Sequence, residues 1–424
     1  MLFTTGAFLA FFFVFFHLYW LAQSRRAPLR LINAFILIGS YYFYGFWNWR
    51  LLGLILISSL VDYACGLRIE RTASNQQRKW WLFLSLLINL GMLGTFKYFN
   101  FFGESFAELL QLFGFDISWT TRNIVLPVGI SFYTFQSLSY TVDVYRRKIK
   151  AEKDILAFLS YVAFFPQLVA GPIERAGHLL PQFHQRKVFY SQQAIEGFRL
   201  ILYGFFQKLV IADNLGIFVN AWLEQETYTG ATLLLVSLAF SLQIFCDFAG
   251  YSNMAIGIGR LLGFDLRRNF RSPYSAQSIR EFWQRWHISL SNWFRDYVYI
   301  PLGGSRSSQE KNAFNLLITF LVSGLWHGPA WTFVIWGFLH GLLLLLERFL
   351  PSFRLPKQFK IIWIFLLVSL LWIPFRAENS EQLLKIIASL GNWESTSVIS
   401  LFNLMSTRKL IGLGFSVLLL SIID

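Results

Sequence analysis

One histidine lies where the chain is otherwise apolar. The segment 326–329 (Trp-His-Gly-Pro) separates the apolar run 315–325 from a second apolar run, 330–346. An imidazole can take up or release a proton near neutral pH, and hydrocarbon solvates neither its proton nor its charge, so His327 predicts a functional site. The alternative is a structural histidine that bonds a backbone carbonyl at a helix end. Its position alone leaves both interpretations open.

The composition is typical of a membrane protein. Of 424 residues, 55% are hydrophobic, 19% are aromatic and only 14% are charged, whereas soluble domains have roughly 25% charged residues. Apolar stretches near the ~20 residues needed to cross the hydrocarbon recur along the whole chain. We therefore predict an all-α, polytopic helical membrane protein whose outer surface contacts membrane lipid.

The net charge of +14 comes from short basic clusters that flank the apolar stretches. They lie at 25–30, 68–79, 146–153 and 260–285. The positive-inside rule places such clusters in the cytoplasm, and this explains the charge without a nucleic-acid partner. No basic region precedes the first apolar stretch, whereas Arg25 and Arg26 follow it, which predicts a retained first helix with its amino terminus outside.

Apolar stretches and loop charges together predict the membrane crossings. The predicted crossings are 2–22, 31–47, 51–67, 80–102, 123–144, 195–222, 230–262, 313–328, 330–347, 361–376 and 405–424. The segment 155–171 is short and contains Pro166, so we expect it to re-enter without crossing, beside a cavity. The stretch 230–262 is too long for one simple crossing and contains several glycines, which predicts a kinked or broken helix.

The crossings 313–328 and 330–347 form a predicted hairpin that enters from the cytoplasmic side. About 16 residues at ~1.5 Å each put His327 roughly 20–25 Å along the first helix, past the membrane midplane. The proline after Gly328 ends that helix. We expect one membrane domain over 1–424, and its last crossing ends within an apolar run, which predicts a natural chain that continues.

A cytoplasmic or interfacial region is expected at 260–311. Within it, the segment 280–301 has aromatic residues such as Phe282 and Trp286 at helical intervals, with charged residues between them. This pattern predicts one amphipathic helix that lies on the membrane surface. For the aromatic side chains we favour a role in membrane contact without chemistry. His287, between Trp286 and two serines, is instead a candidate to point towards a cavity.

Several sequence strings together are similar to a known family. They are Asn269–Tyr274 (NFRSPY), Glu281–Ser291 (EFWQRWHISLS), Trp293–Tyr297 (WFRDY), Tyr299–Gly304 (YIPLGG) and Gly324–Gly328 (GLWHG). In order and spacing they resemble the membrane-bound O-acyltransferase (MBOAT) family, in its bacterial alginate O-acetyltransferase branch. Weaker similarity covers most of the chain. Proteins of teichoic acid D-alanylation share the tryptophan and histidine elements, whereas the stretch Ile300–Gly304 favours the alginate-type branch.

The resemblance implies a ring of tilted helices with re-entrant segments around a central tunnel. A thioester would enter this tunnel from the cytoplasm and the acceptor from outside. His327 matches the catalytic histidine of the family, and His287 matches a second histidine near the acyl donor. Candidates that line the tunnel or contact substrate are Trp326, Trp286, Asn292 and His340. We expect His340 to be mainly structural.

Acetyl transfer from a thioester to a hydroxyl requires a base for the hydroxyl proton. A neutral imidazole with a pKa near 6.5 suits this task. The developing oxyanion needs a hydrogen-bond donor, which could be His287, Trp326 or a backbone amide. Direct transfer and a histidine-linked acyl intermediate both stay open. The donor would be acetyl-CoA or another acyl thioester, and the reaction requires no metal and no bound cofactor.

The leading hypothesis is an enzyme that O-acetylates a cell-surface polysaccharide, alginate or another exopolysaccharide, from the cell inner membrane. The resemblance implies a periplasmic acetyltransferase partner that completes delivery. One alternative is D-alanyl or other acyl transfer to a cell-wall polymer. A transporter is a second alternative, and it predicts inverted repeats, which we do not find. A non-catalytic scaffold of polysaccharide export is a third, and it predicts that His327→Ala leaves acetylation unchanged.

Other ionisable residues lie in or near the predicted crossings. They are Asp62, Lys97, Asp143, Lys208, Asp213 and Asp247. We expect most of them to pair with each other inside the helix bundle or to lie at the ends of crossings. The remaining histidines, His17, His178 and His184, are expected to be solvated or to have packing roles.

Overall fold

The computed structural model describes residues 1–115, 119, 121–122, 124–225, 228–349, 355–393, 414 and 416–417. The described elements are helices, without a strand among them, which confirms the all-α prediction. Seven helical stretches are long and apolar enough to cross a membrane, which confirms a multi-pass membrane protein. They are Gly6–Ser24, Leu29–Arg71, Asn75–Leu112, Ser191–Leu223, Gly230–Leu261, Trp331–Arg348 and Lys357–Arg376. The predicted crossing 405–424 lies outside the described residues, apart from Gly414, Ser416 and Val417.

The described α-helices are numbered in chain order. They are α1 (Gly6–Ser24), α2 (Leu29–Asn48), α3 (Leu52–Arg71), α4 (Asn75–Leu93), α5 (Phe99–Leu112), α6 (Ile130–Tyr145), α7 (Ile155–Ala163), α8 (Phe165–Leu168), α9 (Ala176–Leu179), α10 (Ser191–Phe205), α11 (Asp213–Leu223), α12 (Gly230–Leu261), α13 (Ile279–Arg285), α14 (Ile288–Phe294), α15 (Gln309–His327), α16 (Trp331–Phe349), α17 (Lys357–Arg376) and α18 (Ser380–Ala388). Three further segments are π-helical: Gly94–Tyr98, Phe206–Ala212 and Arg295–Tyr299.

The chain divides into two compact units. The first contains residues 1–201 and 254–267, and the second contains residues 202–253 and 268–424. Both histidines selected from the sequence, His287 and His327, belong to the second unit. The second unit is therefore the one that positions the candidate site.

The first unit has a polar core between α3, α4 and α6. The Oδ1 atom of Asp62 accepts hydrogen bonds from Ser85 Oγ at 2.5 Å and from Asn89 Nδ2 at 2.9 Å. Asn89 Oδ1 in turn accepts one from Ser58 Oγ at 2.6 Å. All four side chains are buried. Asp62 is therefore matched by neutral donors within its bundle rather than by an ion pair.

Two predicted segments are shorter in the structure than a crossing requires. The segment predicted to re-enter forms α7 and α8, which have nine and four residues, too few to cross ~20 residues of hydrocarbon. The helix predicted at 123–144 begins only at Ile130, because Gly129 before it has a left-handed backbone with φ +76°. That helix, α6, has 16 residues and is not among the seven candidate spans.

The break predicted as one possibility in 230–262 was wrong, whereas the kink stays a prediction. Helix α12 is one continuous helix of 32 residues. Its glycines stay helical because they lie where another backbone passes close by. A Cβ on Gly250 would meet the carbonyl oxygen of Gly204 at 2.8 Å, and one on Gly257 would overlap that of Gly197. The glycines therefore serve close packing of helices rather than a break.

The single surface helix predicted at 280–301 was also wrong. The segment forms two helices of seven residues, α13 and α14, followed by the π-helical turn from Arg295. The break falls at Trp286 and His287. Phe282 and Trp286 are 0% and 3% exposed, and their rings stack on each other with centroids 5.5 Å apart. These aromatic side chains form protein core, and packing there overrides the amphipathic pattern.

The predicted hairpin corresponds to α15 and α16, which touch backbone to backbone. A Cβ on Gly324 would overlap the carbonyl oxygen of Phe333, and one on Gly337 would overlap that of Phe320. Small residues let helices approach this closely in an apolar environment, where van der Waals contact drives association. This backbone contact fixes the carboxyl end of α15 against the first turns of α16.

Replacing Gly337 by alanine should push α15 and α16 apart, because the new methyl group has no room beside the Phe320 carbonyl. Overpacking of a close-packed interior costs about 1–3 kcal/mol. We expect a lower thermal unfolding midpoint for the purified protein in detergent. Gly91→Ala, in α4, is the matched control, because a Cβ there meets nothing within 4 Å. Equal midpoints for both variants and the unmodified protein would contradict the backbone contact.

Candidate functional site

His327 is the last residue of α15. Gly328 after it has an extended backbone with φ −160° and ψ 153°, so the helix ends one residue before the end of the predicted crossing, 313–328. The half-buried imidazole packs edge-on against three aromatic rings. Its ring centroid lies 5.0 Å from that of Trp326, 5.1 Å from that of Trp336 and 5.2 Å from that of Phe375. The hairpin therefore holds this histidine against a rigid aromatic wall.

His287 connects α13 to α14 in a left-handed backbone conformation. Its φ of 42° and ψ of 54° are uncommon for a residue with a side chain and persist only where the surroundings enforce them. Asn269 does so: its backbone oxygen accepts the Ile288 N–H at 2.8 Å, and its Oδ1 lies 3.0 Å from His287 Nδ1. Asn269 Nδ2 donates to Ser252 Oγ at 3.2 Å. One buried asparagine thus holds both backbone and imidazole.

The hydrogen bonds around Asn269 define the tautomer of His287. Asn269 Oδ1 also accepts from the Ser289 hydroxyl at 2.9 Å and from its N–H at 3.3 Å, so this atom is an acceptor and His287 Nδ1 must carry the proton. The neutral ring then has its lone pair on Nε2. Burial, and to a smaller extent nearby His327, lowers the pKa of His287 well below its ordinary value. The ring is therefore neutral near neutral pH.

Trp326 lies between the two histidines. Its ring centroid is 6.2 Å from that of His287 and 5.0 Å from that of His327. The structure thus brings three of the residues selected from the sequence into one cluster, although His287 comes from a different helix pair. An indole N–H is a donor only, whereas a neutral imidazole offers both a donor and an acceptor nitrogen. Such a cluster can remove a proton and donate a hydrogen bond close by.

Two other selected residues lie in the aromatic core behind this cluster. Trp286 is buried and packs against Trp372, with centroids 4.9 Å apart. His340 is fully buried, and within the described part of the chain neither ring nitrogen has a hydrogen-bond partner. Its ring lies 4.9 Å from Trp336, on which His327 also packs. His340 therefore lies in the aromatic wall, and its structural role stays a prediction.

A cavity of about 750 Å³ lies within the second unit. The arginines Arg280, Arg295 and Arg348 line it, and none of its described lining residues is acidic. Asn292, selected from the sequence as tunnel-lining, borders this cavity too, together with several hydroxyl and apolar side chains. A cavity that combines cationic and apolar walls suits a ligand with an anionic end and a neutral arm.

Helix α15 connects this cavity to His327. The lining residues of α15 include Asn312, Leu316, Thr319 and Ser323. Their spacing of three or four residues puts them on one face of the helix, along roughly 16 Å. His327 follows Ser323 by four residues on that same face, which is about 6 Å along the helix axis. The wall of the cavity therefore leads to within about one turn of the histidine.

Arg348 is fixed at the far end of this wall. Its Nη1 donates to Asn312 Oδ1, and Asn312 Nδ2 donates to the Tyr299 hydroxyl and to the Gly304 carbonyl, both at 2.9 Å. Positive charge is thus held at the start of α15, and the imidazole at its end. This separation suits an elongated ligand whose charged and reacting groups lie at opposite ends.

The remaining histidines belong to the first unit and have local partners. His17 Nδ1 lies 2.7 Å from the Phe13 carbonyl oxygen. His178 Nδ1 lies 2.9 Å from Glu174 Oε2, and His184 Nε2 lies 2.8 Å from Glu152 Oε2. All three contacts are polar and local to the first unit, and the solvated or packing roles of these histidines stay a prediction.

Sequence reasoning missed Asn269 and the cavity arginines. Asn269 is the first residue of the string Asn269–Tyr274 quoted above. Its place in that string was the sequence signal that could have indicated a role in the site. Its hydrogen bond to His287 spans 18 residues and required the fold. Arg280 and Arg295 were interpreted as charges of a surface helix, because the break at His287 that turns them towards a cavity leaves no periodic signal.

The chain is similar to known acyltransferases over most of its length. The model of the MBOAT, membrane-bound O-acyltransferase family matches residues 41–374. A probable alginate O-acetylase, AlgI, of Azotobacter vinelandii is 41% identical over 93% of this chain and 79% of that protein. A peptidoglycan O-acetyltransferase of Helicobacter pylori is 35% identical, with 90% and 78% covered. A teichoic acid D-alanyltransferase of Bacillus subtilis is 28% identical, with 62% and 71% covered.

Replacing Asn269 by alanine should destabilise the second unit. The variant leaves the His287 Nδ1–H and the Ser289 N–H without their acceptor, and a buried donor left unpaired costs about 1–3 kcal/mol. We expect a clearly lower thermal unfolding midpoint in detergent. Ser252→Ala is the matched control, since it removes only the bond that Asn269 Nδ2 donates, and its midpoint should fall less. A midpoint for the Asn269 variant as high as that of the control would contradict this role.

Proposed function

The chain belongs to the membrane-bound O-acyltransferase family, and we propose that it transfers an acetyl group from a cytoplasmic thioester to hydroxyls of a cell-surface polysaccharide. Family membership and relatives make it a membrane-bound acyltransferase. The observation that carries the finer proposal is the cluster of His327, Trp326 and His287 at the end of a cationic cavity.

In the proposed reaction His327 is the general base. It takes the proton of the acceptor hydroxyl as that oxygen attacks the thioester carbon, and it returns the proton to the sulfur that leaves. One carbon–oxygen bond forms and one carbon–sulfur bond breaks, so atoms and charge balance without a covalent acyl-enzyme. A base poised in this way contributes roughly 10²–10⁴-fold to the rate.

The geometry around His287 supports different hydrogen-bonding roles for His287 and Trp326 in this site. Its Nδ1 proton is already donated to Asn269, so its Nε2 serves as an acceptor. We therefore assign the hydrogen bond to the developing oxyanion to the indole N–H of Trp326, which can only donate. His287 Nε2 accepts from a neighbouring hydroxyl of the acceptor and so orients the attacking hydroxyl, whose single proton is directed to His327.

The arginine-lined cavity supports coenzyme A as the carrier of the acetyl group. Arg280, Arg295 and Arg348 would bind its phosphate groups, and its neutral pantetheine arm would run along α15 towards His327. Guanidinium groups bind phosphates with paired, charge-assisted hydrogen bonds. A second polymer reaction, D-alanyl transfer, is the alternative favoured by the similarity to the teichoic acid D-alanyltransferase.

The relatives support a bacterial surface glycan as the acceptor. The two similar O-acetyltransferases cited above are named for alginate and for peptidoglycan. We propose an alginate-like exopolysaccharide, an inner-membrane location with the amino terminus outside, and a periplasmic acetyltransferase partner that completes delivery.

Replacing His327 by alanine should abolish O-acetylation. We expect a rate loss of roughly 10²–10⁴-fold, because no other side chain takes the hydroxyl proton. His287→Ala should cause a large but incomplete loss. The measurement is the acetyl-ester content of the surface glycan in cells that produce each variant, normalised to the amount of protein in the membrane.

His17→Ala is the control for this experiment, since its exposed ring bonds only the Phe13 carbonyl in the first unit. It should leave acetylation unchanged. Normal acetylation in the His327 variant would refute the enzymatic mechanism and would favour a scaffold in polysaccharide export.

Replacing cavity arginines by glutamine should raise the KM for acetyl-CoA. Loss of one charged phosphate contact corresponds to about tenfold or more in affinity. The KM should also rise with ionic strength in the unmodified protein, because salt screens these contacts. Arg280→Gln and Arg295→Gln are measured in purified protein against Arg268→Gln, an exposed arginine that does not line the cavity. An unchanged donor KM in both cavity variants would argue against this donor site.

A further inference from the structure

A second charged cluster lies outside the histidine site, on membrane helices of the second unit. Lys208 Nζ is 2.8 Å from Asp213 Oδ1 and 2.6 Å from Asp247 Oδ1. We call these three residues the Lys208 cluster. The ion pairing expected from the sequence is confirmed here, but one ammonium faces two carboxylates. The cluster therefore has one excess negative charge.

Two members of the cluster lie inside the hydrocarbon wherever the bilayer sits along their helices. Lys208 belongs to a helical stretch of 33 residues, 191–223, and Asp247 to one of 32 residues, 230–261. A helix needs ~20 residues to cross the hydrocarbon. Every segment of that length in the stretch 191–223 includes residues 204–210. Every such segment in the stretch 230–261 includes residues 242–249. A tilted helix needs a longer window, which includes the same residues.

The cluster is nevertheless partly exposed. The side chains of Lys208, Asp213 and Asp247 are 32%, 47% and 53% exposed. Charged groups that face lipid at this depth are strongly unfavourable, and such groups are retained where they face protein, water or a polar ligand. The exposed face of the Lys208 cluster must therefore border a polar space.

Local geometry fixes this face and connects it to the histidine site. Lys208 lies in the π-helical segment Phe206–Ala212, and π-helical turns frequently occur at functional sites. Next to it, Asn253 Nδ2 donates to Gln207 Oε1 at 2.8 Å. Phe248, the residue after Asp247, packs edge-on against the His287 ring with centroids 4.5 Å apart. Asp247 of the cluster thus immediately precedes a residue that is in direct contact with the His287 ring.

We propose that the Lys208 cluster binds the sugar acceptor through its hydroxyl groups, beside the reacting centre. This rests on the proposed function, and it adds the acceptor subsite. Lys208 pairs with the Oδ1 atoms of Asp213 and Asp247, and the two side chains are 47% and 53% exposed, so the second oxygen of each carboxylate can accept from a hydroxyl. The ammonium between them can donate. Two acceptors on either side of a donor match adjacent hydroxyls of a sugar ring, whereas a serine side chain presents only one.

Binding of the acceptor is tested without turnover. The His327→Ala protein, in lipid nanodiscs, is titrated with an alginate oligosaccharide freed of acetyl groups and with a glycan-strand oligosaccharide of peptidoglycan. We expect one of them to bind, and the further change Asp247→Asn or Asp213→Asn to weaken its Kd about tenfold, the effect of losing one charged hydrogen bond. Asparagine keeps the shape of the side chain, and an unchanged thermal midpoint verifies folding.

Glu196→Gln is the matched control. Glu196 pairs with Arg260 at 2.8 Å on the same two helical stretches, with exposed fractions of 45% and 31%, and it lies in the first unit. This variant should bind the oligosaccharide as before. If Asp247→Asn and Asp213→Asn leave the Kd unchanged, or Glu196→Gln weakens it equally, the acceptor subsite is refuted. Binding of neither oligosaccharide, with transfer to a serine of a partner protein instead, also refutes it.

Kinetics separate this proposal from the proposed function. In the otherwise unmodified protein, Asp247→Asn should raise the KM for the oligosaccharide about tenfold and leave the KM for acetyl-CoA unchanged. An equal rise in both KM values would indicate general damage and refute the subsite. Acetylation that persists in His327→Ala would instead refute the catalytic mechanism, whatever the Asp247 variant does.

Discussion

The backbone contact between α15 and α16 is the constraint on which the histidine site depends. Helices that meet through bulky side chains lie 8–10 Å apart, whereas Gly324 and Gly337 let these two touch. That contact places the carboxyl end of α15 against Trp336, so His327 meets an aromatic wall instead of a flexible loop. Since lipid provides little hydrophobic force between helices, close contact is also what holds the hairpin together. The same backbone contact therefore determines both the position and the stability of the site.

Three polar groups of the described structure are matched by neighbours in the same unit, each in a different way. Asp62 is matched by neutral donors, Lys208 by two carboxylates, and His287 by the oxygen of Asn269. The last arrangement matters most for chemistry, because it settles which nitrogen of His287 carries the proton. It also explains why two separate strings of the sequence occur together, since a histidine without its asparagine would be neither oriented nor paired.

The sequence was sufficient where the signals are local. Apolar length predicted most helices, and the glycine and proline after His327 predicted the end of α15 to within one residue. It failed where distant contacts decide. The break at His287 has a left-handed backbone that Asn269 stabilises across 18 residues of sequence, and the glycines of α12 meet a neighbouring backbone beside Gly250. The cavity arginines were missed for the same reason, since their direction follows from the break and not from periodicity.

The surroundings of His327 also bear on the route of the acyl group. A histidine-linked acyl intermediate would create a cationic ring among Trp326, Trp336 and Phe375, and a charge removed from water is unfavourable unless paired. Trp326, Trp336 and Phe375 are roughly perpendicular to the imidazole, and none of them carries a formal charge that could pair with such a cation. Direct transfer avoids a lasting charge, because the proton that leaves the hydroxyl ends on the departing sulfur. A site built from imidazoles and indoles therefore favours direct transfer, in which the acetyl group passes to the hydroxyl oxygen, the proton passes to the sulfur and no side chain stays ionised.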